Sequence, residues 1–547
     1  MKRIYTIALG IVLLLSVAVS CSKQQFADNY YDPSKTTTVS CEKLFTGVMF
    51  AGRQYMYVSY WRLITWDRFL GRFAQTTGYN NSGGIYEVSP GYAADRWNNF
   101  YQALAQFRLL ESTYEAEEDE ALKAQNKVYV TLAEVFILDQ LTQMVDVFGP
   151  APFTQAGKLP ITGDINDARP AYDSDVDIYK NALSRLDAIY SEITNFKSSL
   201  SGLTKSSLAN QDFLNGGDLD KWLIYTNSLM LRLGVHVSAQ GELTSEGRSA
   251  VAKAASRSLV TNLDNAIMAK MGRDGGSLDY SGDIHNSFGD EWNPTGNWSN
   301  RFASQPMIDA MQITGTDDPR LIVMYNQNKD GQFKGKHRGE VLEDQRANEA
   351  KPWNERVYSH LDSVTFNGND YMDSPVISAP EVYFLLAEAY NEGYGVTKNE
   401  ATAKTNFKKG LEYAIKQLYA QNMSSVVGHG ATGYKATAVP SDAVIDAYSE
   451  AVWAHYTNKL EAIMTMKWTH FGIMQANQAY TDIRRTGYPQ LTWPTDNTVP
   501  VYKNVVQRVI YPVLESSSNT ENYQAAAALT DNDSPYKVLF WAKKIGN

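Results

Sequence analysis

Apolar residues recur about every 3.5 positions between Ala121 and Val147, and this spacing limits the possible folds more than any other feature of the chain. Gly149 and Pro150 follow directly, and proline cannot continue a helix because it lacks an amide hydrogen. The pattern predicts a long helix that ends before Gly149. Its apolar seam is formed by Val128, Leu132, Val135, Leu138, Leu141 and Val145.

Two further long helices are predicted from the residues at their ends. One begins at Asp218. The other begins at Ser378, where Ser378 and Glu381 have the spacing of a capping box, and it ends at Gly393. Because the residues between these ends are apolar almost all round, we expect this helix to be buried. Additional helices are predicted near 93–114, 174–196, 400–420 and 442–480.

Strand signals are few in this sequence. Short alternating stretches at 320–326 and 507–514 predict small edge hairpins. Three insertions between helices, at 76–92, 272–305 and 327–375, are long and rich in glycine, asparagine, aspartate and aromatic residues. Loops of that length in a compact domain are usually functional or mobile.

Small residues stand where helices would cross, as at 385–390 and 406–410, and these segments resemble tetratricopeptide units. A strict period of about 34 residues is absent, so a regular solenoid is not supported. No linker rich in proline and serine divides the chain. We therefore predict a mostly α fold of tetratricopeptide-like helix pairs, with long irregular loops and a few short strands, in a single domain at 41–547.

The first twenty residues have the organisation of an export signal. Two basic residues precede an apolar run at 7–19, which is too short to remain as a membrane span. The residues before Cys21 are small and resemble the lipobox of bacterial lipoproteins, although that motif prefers leucine where Ala18 stands. We predict a signal peptide at 1–20, lipidation of Cys21 and a tether at 21–40. The alternative is a secretory signal with a chance cysteine.

Cysteine content and charge narrow the class of protein further. Once Cys21 carries lipid, Cys41 is the one remaining cysteine, so no internal disulfide can form. With 44% hydrophobic residues in 547 positions, the chain can rely on core burial instead. The net charge of −10 argues against nucleic acid or a basic membrane-binding patch. Together with the lipobox, these features predict an exported protein that is anchored by lipid.

No enzyme motif is recognisable. The chain has no G-x-S-x-G or H-E-x-x-H sequence, and its seven histidines show no i,i+4 pair on a predicted helix. Asp173, Asp175 and Asp177 alternate as in a calcium loop but lack its glycine and final glutamate, so they are interpreted as helix-start residues. We predict no cofactor, no metal and no catalytic activity. A pair of glycosidase carboxylates cannot be judged from sequence, so an exported all-α glycoside-processing enzyme is the alternative.

An ordered set of short motifs resembles the SusD/RagB family of outer-membrane nutrient-binding lipoproteins, in its SusD-like branch. Each motif alone is weak, but together they span nearly the whole mature chain. One departure is Ile483, where an aromatic residue often precedes the arginine pair. After the lipobox, the motifs lie at 146–153, 170–179, 217–233, 379–389, 484–489 and 508–512.

The resemblance implies a fold of four tetratricopeptide-like helix pairs with irregular loops on one side. It also implies a partner, a SusC-like TonB-dependent transporter of Bacteroidetes, and a ligand, an oligosaccharide or a peptide.

Several motif residues are better explained by structure than by ligand binding. Trp222 is expected in the core, and Arg232, Arg484 and Arg485 are expected to bind carbonyl groups or carboxylates.

Sugar sites need exposed aromatic rings beside amide and charged groups. Two of the long insertions have this composition, and SusD-like proteins commonly use loops from these regions around their ligand. Trp66 is a weaker candidate. The alternative is that the tryptophans pin a long loop to the body. The candidate ligand-binding residues are Tyr79, Asn81, Tyr86, Trp292, Trp298 and Arg301.

Overall fold

A computed structural model describes most of the chain, and the unit discussed below spans Cys41–Asn547. The predicted signal peptide and Cys21 lie outside the described residues and stay predictions, as does the division into domains. The described residues are 39–57, 59–78, 84–270, 302–338, 340, 342–349, 351, 355–366, 369, 372–425 and 433–546.

The first half of the unit is helical. Between Gly52 and Arg68 the chain forms a short 3₁₀ helix, Arg53–Tyr55, and a π-helix, Tyr60–Asp67. The α-helices are α1 (Cys41–Gly52), α2 (Arg68–Phe73), α3 (Pro90–Glu115), α4 (Glu120–Phe148), α5 (Leu159–Thr162), α6 (Asp175–Ser199), α7 (Gly202–Gln211), α8 (Leu219–Val237) and α9 (Thr244–Ala255).

The second half adds a two-stranded antiparallel sheet, β1 (Ile267–Ala269) with β2 (Ser374–Ile377). Its α-helices are α10 (Gln305–Met311), α11 (Leu321–Met324), α12 (Leu342–Glu349), α13 (Ala379–Glu392), α14 (Glu400–Ser424), α15 (Asp442–His455), α16 (Lys459–Phe471), α17 (Ala476–Thr486), α18 (Val513–Ser518) and α19 (Thr520–Leu529).

Aspartates at the N-caps explain where two of the predicted helices begin. Asp119 accepts hydrogen bonds from the amides of Ala121 and Leu122 at the start of α4. Asp218 does the same for Asp220 and Lys221 at the start of α8. A carboxylate in this position satisfies amides that have no partner within the helix. Both helices are therefore confirmed at the predicted places.

The capping box predicted at the start of α13 is wrong. Ser378 is the N-cap residue, but its side chain does not cap the helix and lies 3.1 Å from Nε2 of His470. Glu381 accepts a hydrogen bond from Nε of Arg232 at 2.5 Å instead of reaching back to the helix end. Both charged groups are buried, and pairing the guanidinium with this carboxylate outweighs one backbone bond.

Both predicted hairpins are also wrong. At 320–326 the chain forms the short helix α11, because Asp318 accepts the amide of Arg320 and starts a helical turn. At 507–514 the amide of Val509 donates to the carbonyl of Val147 at the end of α4, so this segment pairs with a helix end rather than with a strand.

The continuous helical segment predicted at 442–480 is three helices, α15 to α17. Asn458 caps α16 by accepting the amide of Leu460, which starts a new helix after α15 has ended. Gly472, with φ +45°, follows the end of α16, and α17 begins at Ala476. The sequence pattern did not reveal these breaks, since all three helices contribute buried residues and α17 is buried along its whole length.

Helices that follow each other in the chain pack in pairs, among them α3 with α4, α8 with α9, and α13 with α14. Gly410 marks the α13–α14 crossing, since a Cβ there would lie 2.8 Å from the ring of Phe384. Small residues at such crossings let helices approach closely, as in tetratricopeptide units. The predicted mostly α fold of helix pairs with few strands is confirmed.

Helix α4 is the one described helix long and apolar enough to cross a membrane. Its most apolar window is 89% buried inside the protein, as expected of the central helix of a folded core. Trp222 of α8 is also completely buried, as predicted.

The arginines of the predicted motifs bind carbonyl groups and carboxylates. Arg484 donates to the carbonyls of Asp146 and Gln507. A second cluster, called here the buried ion-pair network, joins α13, α16 and α17. In it Arg485 contacts Glu388, with Nη2 2.7 Å from Oε2, and Asp482 at 2.9 Å. Asp482 in turn lies 2.9 Å from the ammonium of Lys467. The buried ion-pair network therefore consists of Arg485, Glu388, Asp482 and Lys467.

Candidate functional site

The two segments predicted to bind ligand meet the body of the protein at the same place. The amide of Gly78, at the end of the described part of the first segment, donates to the carbonyl of Phe302 at 2.8 Å. The hydroxyl of Ser304 donates to the carbonyl of Gln75 at 2.6 Å. A Cβ on Gly78 would lie 2.4 Å from the carbonyl oxygen of Ala303, so the close approach requires glycine.

A cationic and aromatic cluster supports this junction. The ammonium of Lys336 lies 4.1 Å from the centroid of the Phe302 ring, and the Tyr358 ring meets Phe302 edge-on at 6.2 Å. The amide of Lys336 donates to the carbonyl of Ala303 at 2.9 Å, which fixes the backbone beside the junction. We call Gly78, Phe302, Ala303, Lys336 and Tyr358 the loop frame.

The third long insertion, 327–375, contributes to this junction through Lys336. Gly335 precedes it, and a Cβ there would lie 2.3 Å from the amide nitrogen of Gln305. The stretch from Gly331 to Lys336 looks superficially like a phosphate-binding loop in the sequence. In the structure its glycine and lysine are packing residues, which sequence reasoning did not find. The one sequence feature that could have indicated this close packing is Gly335 directly before Lys336.

The described end of the first segment is held down on its other side. The hydroxyl of Tyr86 donates to the carbonyl of Pro494 at 2.8 Å, and the amide of Ile85 donates to Asp496 at 2.8 Å. Burial raises the pKa of Tyr86 to about 12. Burial alone would also raise the pKa of Asp496, but hydrogen bonds from Thr498 and Ile85 lower it below its usual value.

The structure locates two of the predicted aromatic residues. Tyr86 is 1% exposed, so its ring packs against the body and does not offer an open face. Trp66 is buried as well, and its ring stacks on Phe148 at 5.8 Å between centroids. Trp66 is therefore a core residue. The remaining candidates lie outside the described residues: Tyr79, Asn81, Trp292, Trp298 and Arg301.

The arrangement can hold two adjacent loops in fixed positions relative to a rigid helical body. Sites of this kind bind by presenting loop side chains from a common base. Within the described ranges, no group of three or more histidine, cysteine, aspartate or glutamate side chains is placed to hold a metal ion.

Residues 33–512 match the model of a SusD-like family described as "Starch-binding associating with outer membrane". This match covers most of the chain, and the protein therefore belongs to the SusD-like family. Proteins of this family are associated with the outer membrane and bind glycans. No curated protein sequence matches the chain at a significant level.

Solved structures have the same fold. A SusD homologue from Parabacteroides distasonis has a TM-score of 0.70 at 18% identity, over 92% of this chain and 98% of that one. A chitin-binding protein has a TM-score of 0.67 at 21% identity, over 92% and 99%. A chitin-binding SusD homologue from Flavobacterium johnsoniae has a TM-score of 0.65 at 17% identity, over 92% and 100%.

Proposed function

We propose that this protein captures oligosaccharides at the outer membrane and passes them, chemically unchanged, to a SusC-like TonB-dependent transporter. Lipidation of Cys21 would anchor it, with the helical body at the cell surface. Family membership supports the class of ligand. Two structural relatives that are described as chitin-binding proteins make oligosaccharides of N-acetylglucosamine the first ligands to test.

The single observation that carries the proposed site is the hydrogen bond between Gly78 and Phe302. It joins the described ends of two distant segments whose sequences share the composition of a sugar site: one sequence contains Tyr79 and Asn81, the other Trp292 and Trp298. A sugar presents both C–H faces and hydroxyl groups, so adjacent aromatic and amide side chains suit it.

Weak binding is enough for this role. Each aromatic ring contributes about 0.5–1.5 kcal/mol beyond the area it buries. A millimolar dissociation constant needs only about 4 kcal/mol. Two or three rings with a few hydrogen bonds therefore reach it. Moderate affinity also lets the protein release its ligand to a transporter.

The direct test measures binding of the mature protein to chitin, starch and peptide fragments by calorimetry. We expect Trp292→Ala and Trp298→Ala each to weaken oligosaccharide binding about fivefold, because one lost ring costs on the order of 1 kcal/mol. Phe50→Ala is the matched control: its ring is exposed on α1, outside both segments. Unchanged affinity in both tryptophan variants would remove this site assignment. Binding confined to peptides would overturn the choice of ligand.

A second experiment separates binding from catalysis. Purified protein is incubated with each glycan, and the products are followed by chromatography. We expect the glycan to stay intact. New products that disappear when one aspartate or glutamate is substituted would favour the alternative, an exported all-α glycoside-processing enzyme.

Pull-down of a TonB-dependent transporter with the lipidated protein tests the partner, and Cys21→Ser tests the anchor.

A further inference from the structure

The π-helix Tyr60–Asp67 borders a small polar cavity in the interior. π-helical turns are rare and are frequently found at functional sites. Arg62 and Asp67 of this helix line the cavity, and Tyr55, Arg96, Gln140 and Asn477 form other parts of its wall. Its volume of about 30 Å³ holds about one or two particles the size of a water molecule.

Two of the charged groups in this wall are balanced by close partners. Arg62 contacts Asp67, with Nε 3.1 Å from Oδ2, and it donates to the carbonyl of Met56 at 2.7 Å. Arg232 forms ion pairs with Glu381 and Asp139. These carboxylates are thus already committed to other guanidinium groups.

Arg96 differs from both. It is 2% exposed, and it forms no ion pair with a carboxylate in the described part of the chain. Its Nη2 donates to the carbonyl and Oε1 of Gln140 at 3.3 and 3.1 Å, and its guanidinium lies 4.7 Å from the centroid of the Tyr55 ring. Its Nη1 is buried without a hydrogen-bond partner, and the hydroxyl of Tyr55 is buried with only the side chain of Thr65 near it, in no well-formed hydrogen bond. A buried charge without a counter-charge in contact is costly.

Asn477 provides a third polar group in the wall. Its Oδ1 has no partner, and its Nδ2 has only a long contact of 3.5 Å to the carbonyl of Gln143. The oxygen and nitrogen of such an amide are assigned from the surrounding hydrogen bonds, so rotation can turn a donor toward the cavity. The wall can then offer three donors, from Arg96, Tyr55 and Asn477. A set of donors that includes an unpaired charge matches a small anion.

We propose that this cavity binds one halide-sized monovalent anion, held by Nη1 of Arg96 and the hydroxyl of Tyr55. The ion supplies a counter-charge in direct contact with Arg96, which forms no ion pair within the described part of the chain, and the small volume favours a monatomic ion over a sugar. Bound there, it joins α3, which carries Arg96, to the 3₁₀ helix Arg53–Tyr55, which precedes the π-helix. The site is independent of the oligosaccharide-binding proposal.

Bromide provides the direct probe. Crystals of the mature protein are soaked in sodium bromide, and anomalous diffraction is measured at the bromine absorption edge. We expect a peak inside the cavity beside Arg96. A peak elsewhere only, or an ordered water in the cavity with no anomalous signal at saturating bromide, overturns the proposal.

Thermal unfolding provides a second measurement. At constant ionic strength, replacing sodium gluconate with sodium chloride should raise Tm by about 2–4 °C in a saturable manner, because an ion bound only to the folded state stabilises it. Arg96→Met should abolish this rise and Tyr55→Phe should reduce it. Should Arg96→Met not fold, Tyr55→Phe and the bromide peak still decide the question. Equal Tm in both salts for the unchanged protein contradicts the proposal.

Discussion

Arg485 and Phe302 stand at the centres of two regions that are held together in different ways. Around Arg485, the buried ion-pair network joins three helices through contacts between opposite charges, and both Arg485 and Glu388 are 0% exposed. Around Phe302, the loop frame relies on backbone hydrogen bonds, one glycine and one cation over an aromatic ring. The first region fixes the fold, whereas the second fixes where the variable loops begin.

This difference explains why the recognisable motifs say little about the ligand. The pair Arg484 and Arg485 is recognisable in the sequence. Each arginine is buried and needs specific partners, so a motif of this kind marks the fold. The residues proposed to touch a ligand lie in sequence segments that only their composition marks, and no short motif defines them. Motifs therefore identify the family, and binding has to be measured.

The strongest test of the comparison is Arg485→Met. It leaves Glu388 buried without its counter-charge, so we expect the free energy of unfolding to fall by about 3–5 kcal/mol in urea titrations. The double variant Arg485→Met with Glu388→Met should recover much of this loss. A single variant as stable as the unchanged protein would show that the network does not hold the helices together.

A pH titration of stability comes next, and it compares a carboxyl group inside the helical body with one beside the first loop segment. Burial raises the pKa of Asp146 to about 7, against the effects of a hydrogen bond from Tyr179 and the charges of Arg484 and Arg232. The folded protein thus keeps a proton that the unfolded chain loses near pH 4. This contribution to stability is complete below about pH 4 and is lost as the pH rises to about 7.

We therefore expect the free energy of unfolding of Asp146→Asn to rise, relative to that of the unchanged protein, by about 1 kcal/mol per pH unit between about pH 4 and pH 7. Asp496, beside the loop segment, should behave in the opposite way. Its pKa is lowered in the fold, so its contribution is present above the unfolded pKa and is lost as the pH falls through the folded value. Urea titrations of Asp146→Asn and Asp496→Asn at several pH values test both signs. Parallel profiles for the two variants would contradict this distinction.

Gly78→Ala tests the loop frame. The added Cβ would lie 2.4 Å from the carbonyl of Ala303, and the backbone must shift to admit it. We expect a loss of about 1–3 kcal/mol in stability and weaker ligand binding, because the described ends of both segments meet at this contact. Gly91→Ala is the matched control, since its nearest neighbour would be 3.9 Å away. If Gly78→Ala binds ligand normally, the two loops do not depend on their shared base.

The sequence predicted the helical body well, whereas the ligand-binding residues stay predictions, and there are physical reasons for this difference. Apolar periodicity and cap residues such as Asp218 are local, so α4 and α8 were found at the right places. Glu381 was assigned a local capping role because its actual partner, Arg232, is far away in the chain. The meeting of Gly78 with Phe302 is likewise a tertiary contact between segments that share no pattern, and only their composition marked them.

The smallest expected effect comes from Lys336→Met, and it decides whether the loop frame needs a charge at all. The ammonium of Lys336 is buried 4.1 Å from the Phe302 ring centroid, where a cation–π contact contributes about 0.5–2 kcal/mol. Methionine keeps the length of the side chain and removes the charge, so we expect a loss of about 1 kcal/mol in urea titrations. Lys334→Met is the control, because that side chain is exposed and its ammonium lies 5.9 Å from the Tyr358 ring. Equal losses in the two variants would mean that packing alone holds the loop frame, and the contrast with the charged network would then be sharper.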